Sequence, residues 1–179
     1  MDEFKSIIEN FQLHDFQTVT KSIEEAKPII NQLGAQSFAG TFFEIAVRSD
    51  DPSVYTQLAQ MLDLEYFREQ LSMRVIDEVS CVSDFDSRDQ ICGIKKLFCF
   101  AGELYNIGWL TEDQLETCLQ KLLLLNFSNR TQIRFLKDFI TTVSVKLMKC
   151  VEKDRREKVI SPLREKMETE MQNPDSRAI

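Results

Sequence analysis

Residues 93–125, GIKKLFCFAGELYNIGWLTEDQLETCLQKLLLL, spell out a helical hairpin. Apolar residues step through Ile94, Leu97, Phe98, Ala101 and Leu104 at the spacing that puts them on one face of a helix. Asn106-Ile107-Gly108 breaks that helix, and a second one restarts after Thr111. The Thr111 hydroxyl is placed to accept from the Gln114 backbone N–H, and the Gln114 side chain to accept from the Thr111 N–H, which is a capping box. Glu112 and Asp113 add negative charge at the positive end of the new helix. Ala101 and Gly102 leave room for a second helix to approach closely, and Trp109 and Leu110 are expected to plug the turn. The hairpin therefore reads as a structural unit that positions other surfaces.

The same reading extends outward. Phe4, Ile7, Ile8 and Phe11 predict a short helix over 3–12, and Phe16, Val19, Ile23 and Ala26 a second, kinked or ended by Pro28. A further turn through Ile29, Ile30 and Leu33 closes at Gly34. Residues 36–48 carry a wide apolar face with Phe38, Phe42 and Phe43. Asp51 and Pro52 read as N-cap and first helical residue of the next helix. A break at Asp63 leads to a helix over 64–82, riding on Phe67, Leu71, Val75 and Val79. Residues 83–87 are polar and loop-like. Beyond the hairpin, a helix is expected over 131–149 and a mostly charged one over 152–171, bent at Pro162, before a fraying tail at 172–179.

The sum is about nine helices in antiparallel pairs, an all-α single domain over 1–171. Five glycines and four prolines leave little turn chemistry for a many-stranded β fold. The pairs repeat every 35–45 residues or so, the unit length of HEAT-like repeats, without a strict sequence repeat.

Composition narrows the function. The five cysteines show no C-x-x-C spacing and sit mostly in apolar runs, so they read as reduced core residues, neither a disulfide framework nor a zinc site. No run approaches the length of a membrane span and no export signal opens the chain. An intracellular, cytoplasmic or nuclear protein without membrane contact is the expectation. The sequons at Asn126 and Asn129 then read as loop and cap chemistry. His14 is the single histidine, without a nucleophile motif, and no glycine-rich phosphate loop is present, so neither catalysis nor a cofactor is expected.

Three stretches resemble the middle domain of eukaryotic initiation factor 4G: Phe42–Tyr55 (FFEIAVRSDDPSVY), Phe67–Leu71 (FREQL) and Phe98–Thr111 (FCFAGELYNIGWLT), in the expected order within about residues 35–150. The resemblance implies a right-handed HEAT-like α-α solenoid of about four to five antiparallel hairpins. It also implies a non-catalytic scaffold in translation or mRNA metabolism, whose relatives bind RNA, DEAD-box helicases or other messenger-ribonucleoprotein factors. Tyr66–Leu71 and Tyr105–Leu110 resemble the Tyr-x4-Leu core of cap-binding-protein partners, but the fold should bury the apolar side of both.

Charge points to the other end of the chain. Residues 1–129 carry 10 basic and 21 acidic side chains, whereas residues 130–179 carry 12 and 8. The candidate partner-binding set is Arg130, Arg134, Lys137, Lys146, Lys149, Lys153, Arg155 and Arg156, continued by Lys158, Arg164 and Lys166. Such a surface can meet phosphates or an acidic protein. It can equally be a solvated helix laced with pairs such as Glu152–Arg156 and Asp154–Lys158. No aromatic residue sits in 146–179 to stack on bases, which favours a protein partner over an RNA-binding module. A helical adaptor unrelated to RNA is the third reading.

Overall fold

The computed structural model describes residues 5, 8, 24–28, 30, 31, 34–82, 88–125, 137–143 and 153–172. Among these all regular structure is helical and there is no strand: the fold is all-α. Six helices are well defined: α1 (Ala35–Arg48), α2 (Pro52–Leu62), α3 (Glu65–Cys81), α4 (Arg88–Asn106), α5 (Glu112–Leu124) and α6 (Lys153–Gln172). Residues 24–28, 30, 31 and 137–143 are helical as well, so helix is present on both sides of Pro28. The rest of the helices expected over 3–12 and 131–149, the loop at 83–87 and the tail at 173–179 lie outside the described residues. The chain packs as two compact units, Met1–Val75 and Ile76–Ile179.

In the first unit, local chemistry sets the start of α1 and both ends of α2. Gly34, at φ 99°, donates to the Ile30 carbonyl and accepts from the Phe38 N–H, ending one turn and starting α1. Only glycine holds that backbone without strain. Asp51 caps α2 as expected: its carboxylate accepts from the Ser53 N–H at 3.0 Å, with Pro52 opening the helix. Asp63 closes α2 in the left-handed region, at φ 43°, and donates to the Ala59 carbonyl. The wide apolar face of α1 then buries Phe38, Phe42 and Phe43. Phe38 and Phe42 each lie 5.2 Å from the Phe67 ring of α3, and Tyr55 of α2 meets Phe42 edge-on at 5.7 Å. These are the tilted and edge-to-face arrangements that the ring quadrupoles favour. At the margin, the Arg74 guanidinium sits 5.4 Å from the Phe43 ring.

The second unit is built around the hairpin. The α4 C-terminus is a Schellman motif: Gly108 (φ 81°) donates to the Tyr105 carbonyl and Trp109 to the Leu104 carbonyl, both at 2.9 Å. Trp109 and Leu110 are buried at the turn, and the capping box at Thr111 and Gln114 starts α5 with both reciprocal bonds formed. Leu115, Cys118, Leu119 and Leu122 give α5 its buried face.

One face of α4 lies along residues 137–143. From one end to the other, Lys95 pairs with Asp138 at 2.5 Å, Phe98 meets Phe139 edge-on at 5.8 Å, and Asn106 Nδ2 donates to the Thr142 carbonyl at 2.8 Å. Both partners advance in number together, so the two helices run in the same sense. Between these contacts sits Gly102. A Cβ placed there would lie 3.0 Å from the Thr142 methyl, 3.3 Å from Val143 Cγ1 and 3.6 Å from the Phe139 ring. The Thr142 side chain has little freedom to yield, because its hydroxyl donates to the Asp138 carbonyl at 3.0 Å.

The cysteines correct one expectation. Cys118 is buried and Cys99 half-buried, but Cys81 and Cys92 are exposed and free, so the described thiols are not uniformly core. Cys81 occupies the last turn of α3 and Cys92 the first turns of α4, where side chains escape the core. Cys150 lies outside the described residues.

Two outcomes follow from this packing. Replacing Gly102 with Ala gains about 1 kcal/mol of helix propensity but sets a methyl against Thr142 at 3.0 Å and Val143 at 3.3 Å, and because Thr142 has little freedom to yield the thermal midpoint should fall slightly. Gly102→Leu cannot be absorbed and should cost about 1–3 kcal/mol by overpacking, read as a lower thermal midpoint. The thiols give the second test. Burial pushes the Cys99 thiol up to about 11 and Cys118 up to about 12, from an ordinary 9.0. At pH 8 Cys81 and Cys92 should react with a thiol reagent promptly, and Cys99 and Cys118 only on unfolding. Because both buried values are raised, their stabilising contribution is complete below pH 9 and is lost as pH climbs towards 11–12.

Candidate partner-binding surface

The predicted basic residues fall into three groups. Arg130, Arg134, Lys146 and Lys149 lie outside the described residues. Lys137 is exposed at the start of segment 137–143. Lys153, Arg155 and Arg156 are on the first turns of α6. The structure thus places the described members on two separate helices. Cations on a first helical turn add to the positive end of the helix dipole and raise the local potential, which suits an acidic partner.

Further along α6 the surface changes character. Ile160 and Leu163 are buried, while the exposed described residues include Lys158 and Arg164 but also Glu157, Glu165 and Glu168. This stretch is mixed in sign, and Ser161 donates to Glu157 at 2.9 Å across one turn. The helix runs on through Pro162. The basic character of α6 is therefore concentrated at its N-terminal end.

Lys166 leaves the candidate surface altogether. Its ammonium donates to the carbonyl of Leu123 and, at 2.7 Å, to that of Leu125, the carbonyls at the C-terminus of α5. Those groups have no intrahelical partners and carry the negative end of the helix dipole, so a cation is the complementary cap.

Two further cations, Lys95 and Lys96, lie on α4 of the hairpin. They lie beside the apolar positions of α4, and Lys95 pairs with Asp138, the residue that follows Lys137. The hydrogen bond to Asp138 holds the Lys95 ammonium above its ordinary value of 10.5. Both side chains are close to half exposed, so the pair fixes position more than it stabilises. The adjacent lysines are visible in the sequence, whereas the Lys95–Asp138 pair depends on the α4 packing.

The two Tyr-x4-Leu stretches part company. Tyr105 and Leu110 are buried, as expected. Tyr66 is 57% exposed while Leu71 is fully buried, correcting the expectation that both lie on a covered side. Five residues on a helix turn the chain to nearly the opposite side, so one helix cannot present both. His14 lies outside the described residues. Among the described residues no cluster of His, Cys, Asp or Glu could hold a metal ion, and no helix is long and apolar enough to cross a membrane. Comparison with protein-family models, with curated proteins and with solved structures finds no match to this chain.

The Lys166 cap makes a clear demand. Lys166→Met keeps the aliphatic stem and removes the donors, and should cost about 1–2 kcal/mol, a thermal midpoint lower by a few degrees. An unchanged midpoint would mean that solvent serves those carbonyls equally well.

Proposed function

We propose that this chain is a non-catalytic helical scaffold of the kind implied by its resemblance to the middle domain of eukaryotic initiation factor 4G. In this reading its hairpins stack as a HEAT-like solenoid and hold a messenger-ribonucleoprotein or translation factor, such as a DEAD-box helicase. The observation that carries it is the role of the resembling residues. Phe98, Ala101 and Leu104 are buried, Gly102 admits a neighbouring helix, Trp109 and Leu110 close the turn, and Thr111 caps α5. These are the tasks a hairpin needs for stacking, and none of them is a reaction. The parallel course of α4 and 137–143 also supports stacking, since first helices of successive hairpins run in the same sense.

The partner-facing part in this reading is the basic stretch of sequence from 130 to 156, of which Lys137, Lys153, Arg155 and Arg156 are among the described residues. An acidic protein surface fits it, and electrostatic complementarity would speed association and discriminate among partners. RNA phosphate fits the charge as well, although neither Lys137 nor the α6 basic turns have an exposed aromatic among the described residues of their own helices.

A pull-down from lysate, with and without nuclease, tests the reading using wild type and the triple charge reversal of Lys137, Arg155 and Arg156 to Glu. The expected result is a bound translation or messenger-ribonucleoprotein protein that survives nuclease and is lost on charge reversal. Loss on nuclease treatment alone would make the surface an RNA-binding one. Retention by the triple variant would move the interface elsewhere.

A further inference from the structure

The outward face of α3 poses a problem that the core does not solve. Phe67, Leu71, Val75 and Val79 bury one side of this helix completely. On the opposite side Tyr66 and Met73 stand 57% and 56% exposed. They are seven residues apart, about two turns, and so share one stripe. A single exposed apolar side chain such as Leu124 needs no explanation, whereas two large ones aligned two turns apart on one helix face present a pair of apolar anchors to water, with Glu69 and Gln70 between them.

The charges around that strip have one sign. Glu69 borders it between Tyr66 and Met73, and Asp77 continues it one turn on, on the same helix. Both carboxylates are exposed, and among the described residues neither takes part in an ion pair or hydrogen bond. No cation shares the stripe: Arg74 is turned to the Phe43 ring, and Arg68 projects from the other side of the helix. An aromatic face, a polarisable thioether and two unpaired carboxylates have one chemistry in common, which is attraction for a cation carried on an apolar body.

We propose that the Tyr66–Glu69–Met73–Asp77 stripe of α3 docks a basic amphipathic helix of a partner protein. Tyr66 and Met73 pack against the partner's apolar residues, whose own two-turn spacing matches theirs, and Glu69 and Asp77 meet flanking lysines or arginines. Charge complementarity selects this occupant over an acidic or uncharged helix. The proposal shares no residue with the basic set between 130 and 156, and its test is independent of that reading.

The probe is a designed peptide with leucine on one helical face and lysine on the other, beside a counterpart with glutamate in place of lysine. Binding is followed by fluorescence anisotropy and by the methyl resonance of Met73 in methionine-labelled protein. The Leu/Lys peptide should bind and shift that resonance, and the Leu/Glu peptide should not. Tyr66→Ser with Met73→Ser, and Glu69→Lys with Asp77→Lys, should each weaken binding about tenfold or more, as loss of a central contact does. Both pairs are exposed, and an unchanged circular dichroism spectrum and melting curve establish that the fold is intact. Absence of binding, equal binding by the variants, or an unmoved Met73 resonance would overturn the proposal. So would a wild-type dimer in sedimentation that Tyr66→Ser with Met73→Ser dissociates, since a second copy would then occupy the stripe.

Discussion

A missing side chain governs the second unit. Because Gly102 ends at its Cα, α4 can approach residues 137–143 until the Thr142 methyl and Val143 fill the space a Cβ would take. The neighbouring contacts depend on that distance. The Phe98–Phe139 edge-on pair, the Asn106 bond to the Thr142 carbonyl and the Lys95–Asp138 pair all lie along the same line of approach. Widening the gap by one methyl's thickness would loosen all of them together. Dispersion contacts fall off steeply, and a hydrogen bond at 2.8 Å has little slack. Helix propensity disfavours glycine in mid-helix, so its presence here makes sense only through what it admits.

How much of this was legible in the sequence depended on how far apart the interacting residues are. The capping box at Thr111 and Gln114, the Asp51–Pro52 start and the Asp63 break involve partners within a few positions, and local rules are sufficient for them. The close approach at Gly102 was anticipated in kind, from two small residues in a row, but its partner was not named. The Schellman closure at Gly108 has a visible signal, a glycine just past an apolar run, which by itself specifies a break and not its hydrogen bonds. Longer-range facts left no local trace. Nothing near Lys166 announces a bond to Leu123, and Lys95 looks like any solvated lysine until α4 is placed beside Asp138. The Tyr-x4-Leu pattern does not behave as a unit at Tyr66, because helical geometry sends its two ends to different sides.

The candidate surface was legible in composition more than in geometry. Counting charges beyond residue 129 located a basic region, and the structure then sorted its members by task. Lys166 caps a helix, Lys158 and Arg164 lie among carboxylates, and the first turn of α6 retains the excess. Equal formal charges thus have unequal prospects for binding. A lysine whose ammonium already satisfies two carbonyls would have to give them up before meeting a ligand, at a cost comparable to the gain. On α3, by contrast, the stripe combines carboxylates with exposed Tyr66 and Met73.

The Lys166 bond also sets an order of events. Leu125 and Lys166 are separated by 41 positions, whereas the hairpin that α5 belongs to is closed by contacts a few residues long. On a growing chain, α4 and α5 can pair as soon as both have emerged, since short loops close quickly and at little entropic cost. The carbonyls at the end of α5 must wait for water to serve them until α6 arrives. The last turn of α5 is thus provisional during synthesis, and α6 docks onto a helix end that remains unfinished until it does.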